Sequence, residues 1–204
     1  MTSRVLNAIG VLGATALVAS LFPPSLMFAN TTAAGGDLGS HNYAAAIARD
    51  FILREHRLTG WVPGNFCGFP LFQMYFPVPF IISTLTSLIL APHVAFKLMS
   101  VLGVLLLPAA AFFCLSSRRV PFPGPALGAC LTVPFLFQAG NSAWGGNLQS
   151  TMAGEFAYSI SLPLALVYIG IEPRLFHSIR WAVAAAVVIA LLAMTAASAI
   201  HRTV

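Results

Sequence analysis

Five stretches of this chain, Val5–Phe22, Val94–Leu115, Phe122–Phe137, Phe156–Ile171 and Trp181–Ile200, run for 16 to 22 residues with one charged side chain, Lys97, among them all. Nothing else in the sequence limits the fold so strongly. A helix that crosses the ~30 Å hydrocarbon core of a bilayer takes about 20 mostly apolar residues, with a range of roughly 17–25. The rest of the composition points the same way. Ten Lys+Arg and five Asp+Glu in 204 residues are too few to cover a water-soluble surface. Disordered chains are poor in apolar residues, whereas this one is 58% hydrophobic. The basic residues are scattered and flank apolar runs, so no nucleic-acid surface is indicated. Cys67, Cys114 and Cys130 show neither paired nor C-x-x-C spacing, which leaves out a disulfide framework and a zinc site. The expected fold class is all-α: a polytopic helical membrane protein of about five spans, forming a single transmembrane domain over residues 1–204.

The first span invites a second reading, because Arg4 ahead of an apolar run also suits a secretory signal. The run exceeds an ordinary signal core and no small-x-small cleavage site precedes Pro23, so a retained anchor is the reading taken. A sixth apolar segment, Val78–Leu90, has 13 residues, roughly 20 Å as helix and short of the core. Positive residues decide whether it crosses, since Lys and Arg near span ends favour the cytoplasmic side. If it crosses, Arg4 is separated from Arg118, Arg119, Arg174 and Arg180. If it lies at the interface, all five arginines are cytoplasmic. The second arrangement is preferred, with Lys97 and Arg202 as its exceptions. It places residues 30–92 and 138–155 in two outer loops on one face.

The first outer loop balances Asp37, Asp50 and Glu55 against Arg49, Arg54 and Arg57. Ser40 is placed to cap a helix over His41–Arg57, with Asp37 in the turn before it. Tyr43, Ile47 and Phe51 or Leu58 form an apolar stripe at helical spacing, as in a helix lying along a membrane surface. Within Gly35-Gly36-Asp37-Leu38-Gly39-Ser40-His41, glycines bracket one carboxylate, and a histidine follows four residues on. Such a turn can expose the acid beside a cavity, where it would serve as a general base. It can equally be a helix cap. A divalent metal shared by Asp37 and His41 has only two ligands behind it, and no cofactor is expected.

In the second outer loop Glu155 stands at the mouth of an apolar span, a costly position for a carboxylate unless it is paired or functional. Asn147, Gln149, Ser150 and Thr151 beside it suit either a hydroxyl-rich ligand or the loop's own backbone. The aromatic and proline-rich segment Trp61–Pro77 reads as an interfacial belt or as the wall of a cleft for a lipid chain or sugar. Asn30-Thr31-Thr32 matches a glycosylation sequon, relevant only in a eukaryotic lumen.

These pieces together carry a resemblance. Gly35-Gly36-Asp37 with Ser40-His41, then Gly64-Asn65 through Pro79, then Trp144-Gly145-Gly146-Asn147 through Ser159, resemble the polytopic membrane glycosyltransferases of the GT-C class. They are more closely similar to bacterial membrane proteins with a 6-pyruvoyl-tetrahydropterin synthase-related domain. The resemblance implies a polyprenyl-phosphate sugar donor, transfer on the outer face of a bacterial inner membrane, and Asp37 as catalytic base. It makes His41, Arg54, Arg57, Asn147 and Glu155 substrate-binding candidates, with Arg54 or Arg57 steadying the leaving phosphate. Enzymes of this class have more spans, so the chain is expected to be an N-terminal portion that works with its remainder or a partner subunit. A non-catalytic protein that handles lipid-linked glycans or assembles with a partner is the alternative. Sparse charge within the spans argues against an ion-coupled transporter.

Overall fold

The computed structural model describes residues 3–64, 67–73, 75–140 and 145–196. Asn65, Phe66, Trp144, Ile200 and Arg202 lie outside the described residues, as does the rest of the final span beyond Ala196. Prolines open several helices. They occupy one of the first two positions of α2 (Pro24–Met27), α4 (Val78–Thr86), α5 (Pro92–Ser117) and α6 (Gly124–Leu136). The missing N–H of proline costs nothing there, because that group has no partner in the helix. The other helices are α1 (Ser3–Ala19), α3 (Leu38–Leu53), α7 (Leu148–Ala153), α8 (Phe156–Ile171) and α9 (Ile179–Ala196). A 3-10 turn, Glu172–Arg174, extends α8.

The chain is mostly helical, as its apolar periodicity predicts. Among the described residues, two helices are long and apolar enough to cross a membrane: Pro92–Ser117, and Phe156–Arg174 when the 3-10 turn is included. Ser3–Ala19, Gly124–Leu136 and Ile179–Thr195 are apolar but shorter. At 13 residues, α6 rises only about 20 Å.

Helix α5 is the central post, packed against α1, α4, α6 and α8. Val18, Val101, Val104, Leu107 and Leu136 are buried together around it. A side chain on Gly103 would stand 2.0 Å from the Ser159 carbonyl oxygen, so α5 and α8 meet backbone to backbone there. The outward faces are apolar as well: Ile9, Leu12, Leu127, Leu131, Val183 and Val187 are all exposed. Such contiguous apolar faces are a liability in water and normal against lipid.

Contacts between distant segments define the two ends of the bundle. At one end the Arg118 guanidinium reaches Glu172 at 2.9 Å, and Arg174 donates to the Ser117 hydroxyl at 3.2 Å. At the other, the Asp37 amide donates to the Ala153 carbonyl at 2.8 Å. Lys97, an exception in the charge-based topology, is buried in the second turn of α5. Its ammonium donates to the carbonyls of Leu26 and Ala29 at 2.5 and 2.6 Å, and to the Thr31 hydroxyl at 3.4 Å. The charge is satisfied by the chain that returns from α1.

Three local expectations change. Helix α3 starts at Leu38 and ends at Leu53, so Ser40 is not its cap but sits in its first turn. The Ser40 hydroxyl donates back to the Asp37 carbonyl at 2.8 Å instead. The buried face of α3 is Leu38, His41, Ala44, Ala48 and Phe51, whereas Tyr43 is exposed. Ala44, Ala48 and Phe51 join a core cluster that includes Phe80 of α4 and Phe156 of α8. Finally, the aromatic segment contains a short antiparallel hairpin, β1 (Gly60–Val62) against β2 (Phe69–Leu71), with Val62 opposite Phe69. Trp61 remains outside, but Val62, Leu71, Phe72 and Phe76 enter the core.

The Gly103 contact yields a direct test. Gly103→Ala should lower the stability of the detergent-solubilised protein by about 1–3 kcal/mol, because the new methyl meets backbone that cannot rotate away. Gly13→Ala, in a helix with nothing within 4 Å of the new methyl, should cause no loss. Thermal melts of the two variants beside the wild type compare them.

Candidate functional site

Two glycine-bearing turns meet at the Asp37 end of the bundle. Gly36 has φ +47, and a side chain on it would stand 2.1 Å from the Ala153 carbonyl oxygen. Gly154 has φ +116 and ends α7 in the left-handed conformation, its N–H turning back to the carbonyls of Ser150 and Thr151. A side chain on Gly154 would stand 3.0 Å from the Asp37 Cβ and 3.3 Å from the His41 Cδ2. Gly154 therefore sits wedged between the two side chains. Both turns lack room for anything larger than hydrogen, and this fixes the position of Asp37.

Asp37 occupies the N-cap position of α3 but makes no capping hydrogen bond with its side chain. Its carboxylate is exposed and stands near the positive end of the helix, where a negative charge is favoured. Four residues on, His41 is only 4% exposed. Its ring meets Phe156 edge-on at 4.9 Å, and Tyr75, Phe76 and Phe80 complete the cage at 5.7 to 6.2 Å. The Tyr75 hydroxyl lies 3.0 Å from Nδ1. Burial pushes the His41 pKa down from 6.5 to about 4; the Asp37 charge and a hydrogen bond with the Gly154 backbone oppose that shift in part. At neutral pH His41 is an uncharged, hydrogen-bonded wall behind an exposed acid.

Glu155 follows Gly154 directly, is half-buried, and begins α8 as its N-cap residue. The fold thus brings Asp37, His41 and Glu155 to one place. Asn147 is bonded within its own loop. Its Oδ1 accepts from the Ser150 amide at 2.7 Å and its Nδ2 donates to the Gln138 carbonyl at 2.8 Å, so it caps α7 and closes the second outer loop. Thr151 bonds to the Asn147 carbonyl in its own loop and to Ser159 in the first turn of α8. Arg54 and Arg57 are not brought to Asp37. They lie beyond the far end of α3, about 24 Å of helix away. Arg54 pairs with Asp50 at 3.5 Å and Arg57 with Glu55 at 2.6 Å. Among the described residues no three His, Cys, Asp or Glu side chains are grouped as metal ligands.

The residues the sequence did not single out are Tyr75, Gly154 and Phe156. Each was visible only as one aromatic or glycine among many; nothing in its spacing marks it as a neighbour of His41.

The buried histidine makes stability depend on pH. His41 is protonated more readily in the unfolded chain, so its contribution is complete above about pH 6.5 and is lost as pH falls toward 4. The loss is about 3 kcal/mol. Melting curves across that window should fall more steeply for the wild type than for His41→Gln; parallel curves would place the titration elsewhere.

A family model matches residues 72–202, which takes in Tyr75, α4 to α9, Gly154 and Glu155, and begins after the Asp37 turn. No curated protein and no solved structure matches the chain. The matched segment is well over half of the sequence and takes in the helices from α4 onward. On that basis the chain belongs to the membrane-protein family defined by the 6-pyruvoyl-tetrahydropterin synthase related domain.

Proposed function

We propose that this protein is a multi-pass membrane glycosyltransferase of GT-C type, or the N-terminal part of one, acting on the outer face of a bacterial inner membrane. The observation that carries the reading is the presentation of Asp37. Two turns without side chains are locked together by the Asp37 amide and the Ala153 carbonyl, and what they hold out to solvent is a carboxylate. A base must be positioned to a few tenths of an ångström to act on a bound hydroxyl, and a locked turn supplies that. In the proposed step an acceptor oxygen bonds to the anomeric carbon as the bond from that carbon to the polyprenyl phosphate oxygen breaks. The bonding pair leaves with the phosphate, and the acceptor proton passes to Asp37. His41 supports the turn from behind, and Glu155 and Tyr75 border the place where a sugar would sit. Arg54 and Arg57, at the opposite end of α3, are suited to lipid headgroups rather than to a phosphate leaving beside Asp37.

Five crossings, by α1, α5, α6, α8 and α9, accompany this reading. Arg118, Arg119 and Arg174 then share the cytoplasmic end, in keeping with the Arg118–Glu172 pair and the Arg174–Ser117 hydrogen bond. A second reading, a non-catalytic handler of lipid-linked glycans, is favoured by one feature: an apolar cavity of about 610 Å³ among α4, α5, α8 and α9.

Asp37→Asn separates the two. In an assay that follows release of polyprenyl phosphate from a polyprenyl-phosphate sugar, activity should fall at least about 100-fold while the melting temperature is unchanged. Gly36→Ala should also lose activity with every carboxylate intact, since its methyl meets the Ala153 carbonyl. Activity retained in Asp37→Asn sinks the catalytic reading. Topology is checked independently by single cysteines at Ser40 and Ser117 in a cysteine-free background. A membrane-impermeant reagent should label the first and not the second in intact cells; labelling of both rules out the five-span arrangement.

A further inference from the structure

The apolar cavity and the arginine hook beyond α3 meet, and nothing in the proposed reaction uses either of them. The cavity is roofed by Val78, Ile81 and Ile82 of α4 and runs down α5 from Leu102 to Phe113. From Leu102 to Phe113 the helix rises about 17 Å. One leaflet of the hydrocarbon core is about 15 Å, half of ~30 Å. The slot is therefore one leaflet deep, and its lining is wholly hydrocarbon.

Ile81 also lines a second recess, of about 390 Å³, with Ile52, His56, Arg57 and Leu58. The arginine there is held in place before any ligand arrives. Its Nε donates to Glu55 Oε2 at 2.6 Å and its Nη1 to the Thr59 carbonyl at 3.3 Å. The guanidinium carbon lies 3.8 Å above the Phe51 ring. The Arg57 amide returns to the Phe51 carbonyl at 3.0 Å, and His56 adopts φ 51 to make the hook. Gly60 leaves the space for it: a side chain there would stand 1.9 Å from Nη1. Neither of the two side-chain hydrogen bonds uses Nη2, and a guanidinium fixed by its other nitrogens is a good donor to a phosphate oxygen.

We propose that an anionic glycerophospholipid binds here, with one acyl chain in the cavity beneath α4 and its phosphate on Arg57. The charge balance fits: from Arg49 to Arg57 three arginines face two carboxylates, and His56 lies among them. The depth of the slot fits an acyl chain, whereas a polyprenyl chain of many isoprene units outruns a leaflet. A phosphate on Arg57 is also separated from Asp37 by the whole length of α3. The site is thus distinct from the donor site of the proposed reaction and does not depend on that reaction; only its assignment to the outer leaflet rests on the five-span topology.

The test uses the full chain purified in detergent, with phosphatidylglycerol and phosphatidylcholine of identical acyl chains as probes. Phosphatidylglycerol should raise the melting temperature by roughly 5–10 °C at about 100-fold above Kd, and phosphatidylcholine by much less. The difference should vanish in Arg57→Gln, an exposed position that leaves the core alone, and in Gly60→Ala, which crowds the guanidinium and keeps its charge. Ala109→Phe, which fills the cavity, should abolish the response to both lipids. Equal stabilisation by the two lipids overturns the proposal, as does a preference that survives Arg57→Gln. Displacement of phosphatidylglycerol by equimolar polyprenyl phosphate, read by native mass spectrometry, also overturns it, by assigning the slot to the donor.

Discussion

The contact between the Gly35–Asp37 turn and the Met152–Gly154 turn joins segments more than a hundred residues apart, and it can form only because glycine leaves backbone bare on both sides. Side chains on Gly35 and Gly36 would stand 2.9 and 2.1 Å from the carbonyl oxygens of Met152 and Ala153. Once the turns touch, much else follows. The Asp37 amide gains a partner, α3 is launched from a fixed point, and its first buried residues, Leu38 and His41, are carried onto Phe156 at the start of α8. The hairpin and α4 then close over them with Phe72, Phe76 and Phe80. This end of the bundle is assembled from two loops joined by a single backbone junction.

Below that junction the controlling quantity is the cost of polar groups in an apolar surrounding. Lys97 shows how the chain meets it. A lysine near the end of a long apolar helix is tolerated because three oxygens from α2 and the segment after it take its hydrogens. The same bonds anchor the strand of chain that leads from α2 to the glycine turn, so a residue that disturbs the charge pattern of the sequence supports the site geometrically. Asn147, Ser150, Thr151 and Ser159 do the equivalent at the other turn, bonding to one another and to backbone.

This division explains what was readable in advance. Helix positions and the shortness of Val78–Thr86 follow from run lengths and prolines, which are local properties. The candidate acid, its histidine and Glu155 were found because glycines and isolated carboxylates stand out in a chain so poor in charge. The buried face of α3 was not readable from apolar periodicity, because the small Ala44 and Ala48 are buried there while the larger Tyr43 is exposed. Nor was the capping bond of Asn147, since a capping amide and a ligand-binding amide have the same sequence appearance. The separation of Arg54 and Arg57 from Asp37 depends only on the rise of a helix, and it became decisive once the helix ends were fixed.

That separation gives α3 two unlike poles. Its first turn carries an exposed carboxylate backed by a neutral histidine, and just beyond its last turn is a guanidinium held over an apolar recess. An acid and an arginine that were neighbours would neutralise each other, and the acid would then be a poorer proton acceptor. Here the two stand toward opposite ends of a helix about 24 Å long, which exceeds a Debye length at physiological ionic strength. The zero net charge of the first outer loop therefore conceals an ordered arrangement. Asp50 and Glu55 are spent pairing with Arg54 and Arg57 at one end, and the third acid is left at the other end, where the two outer loops meet.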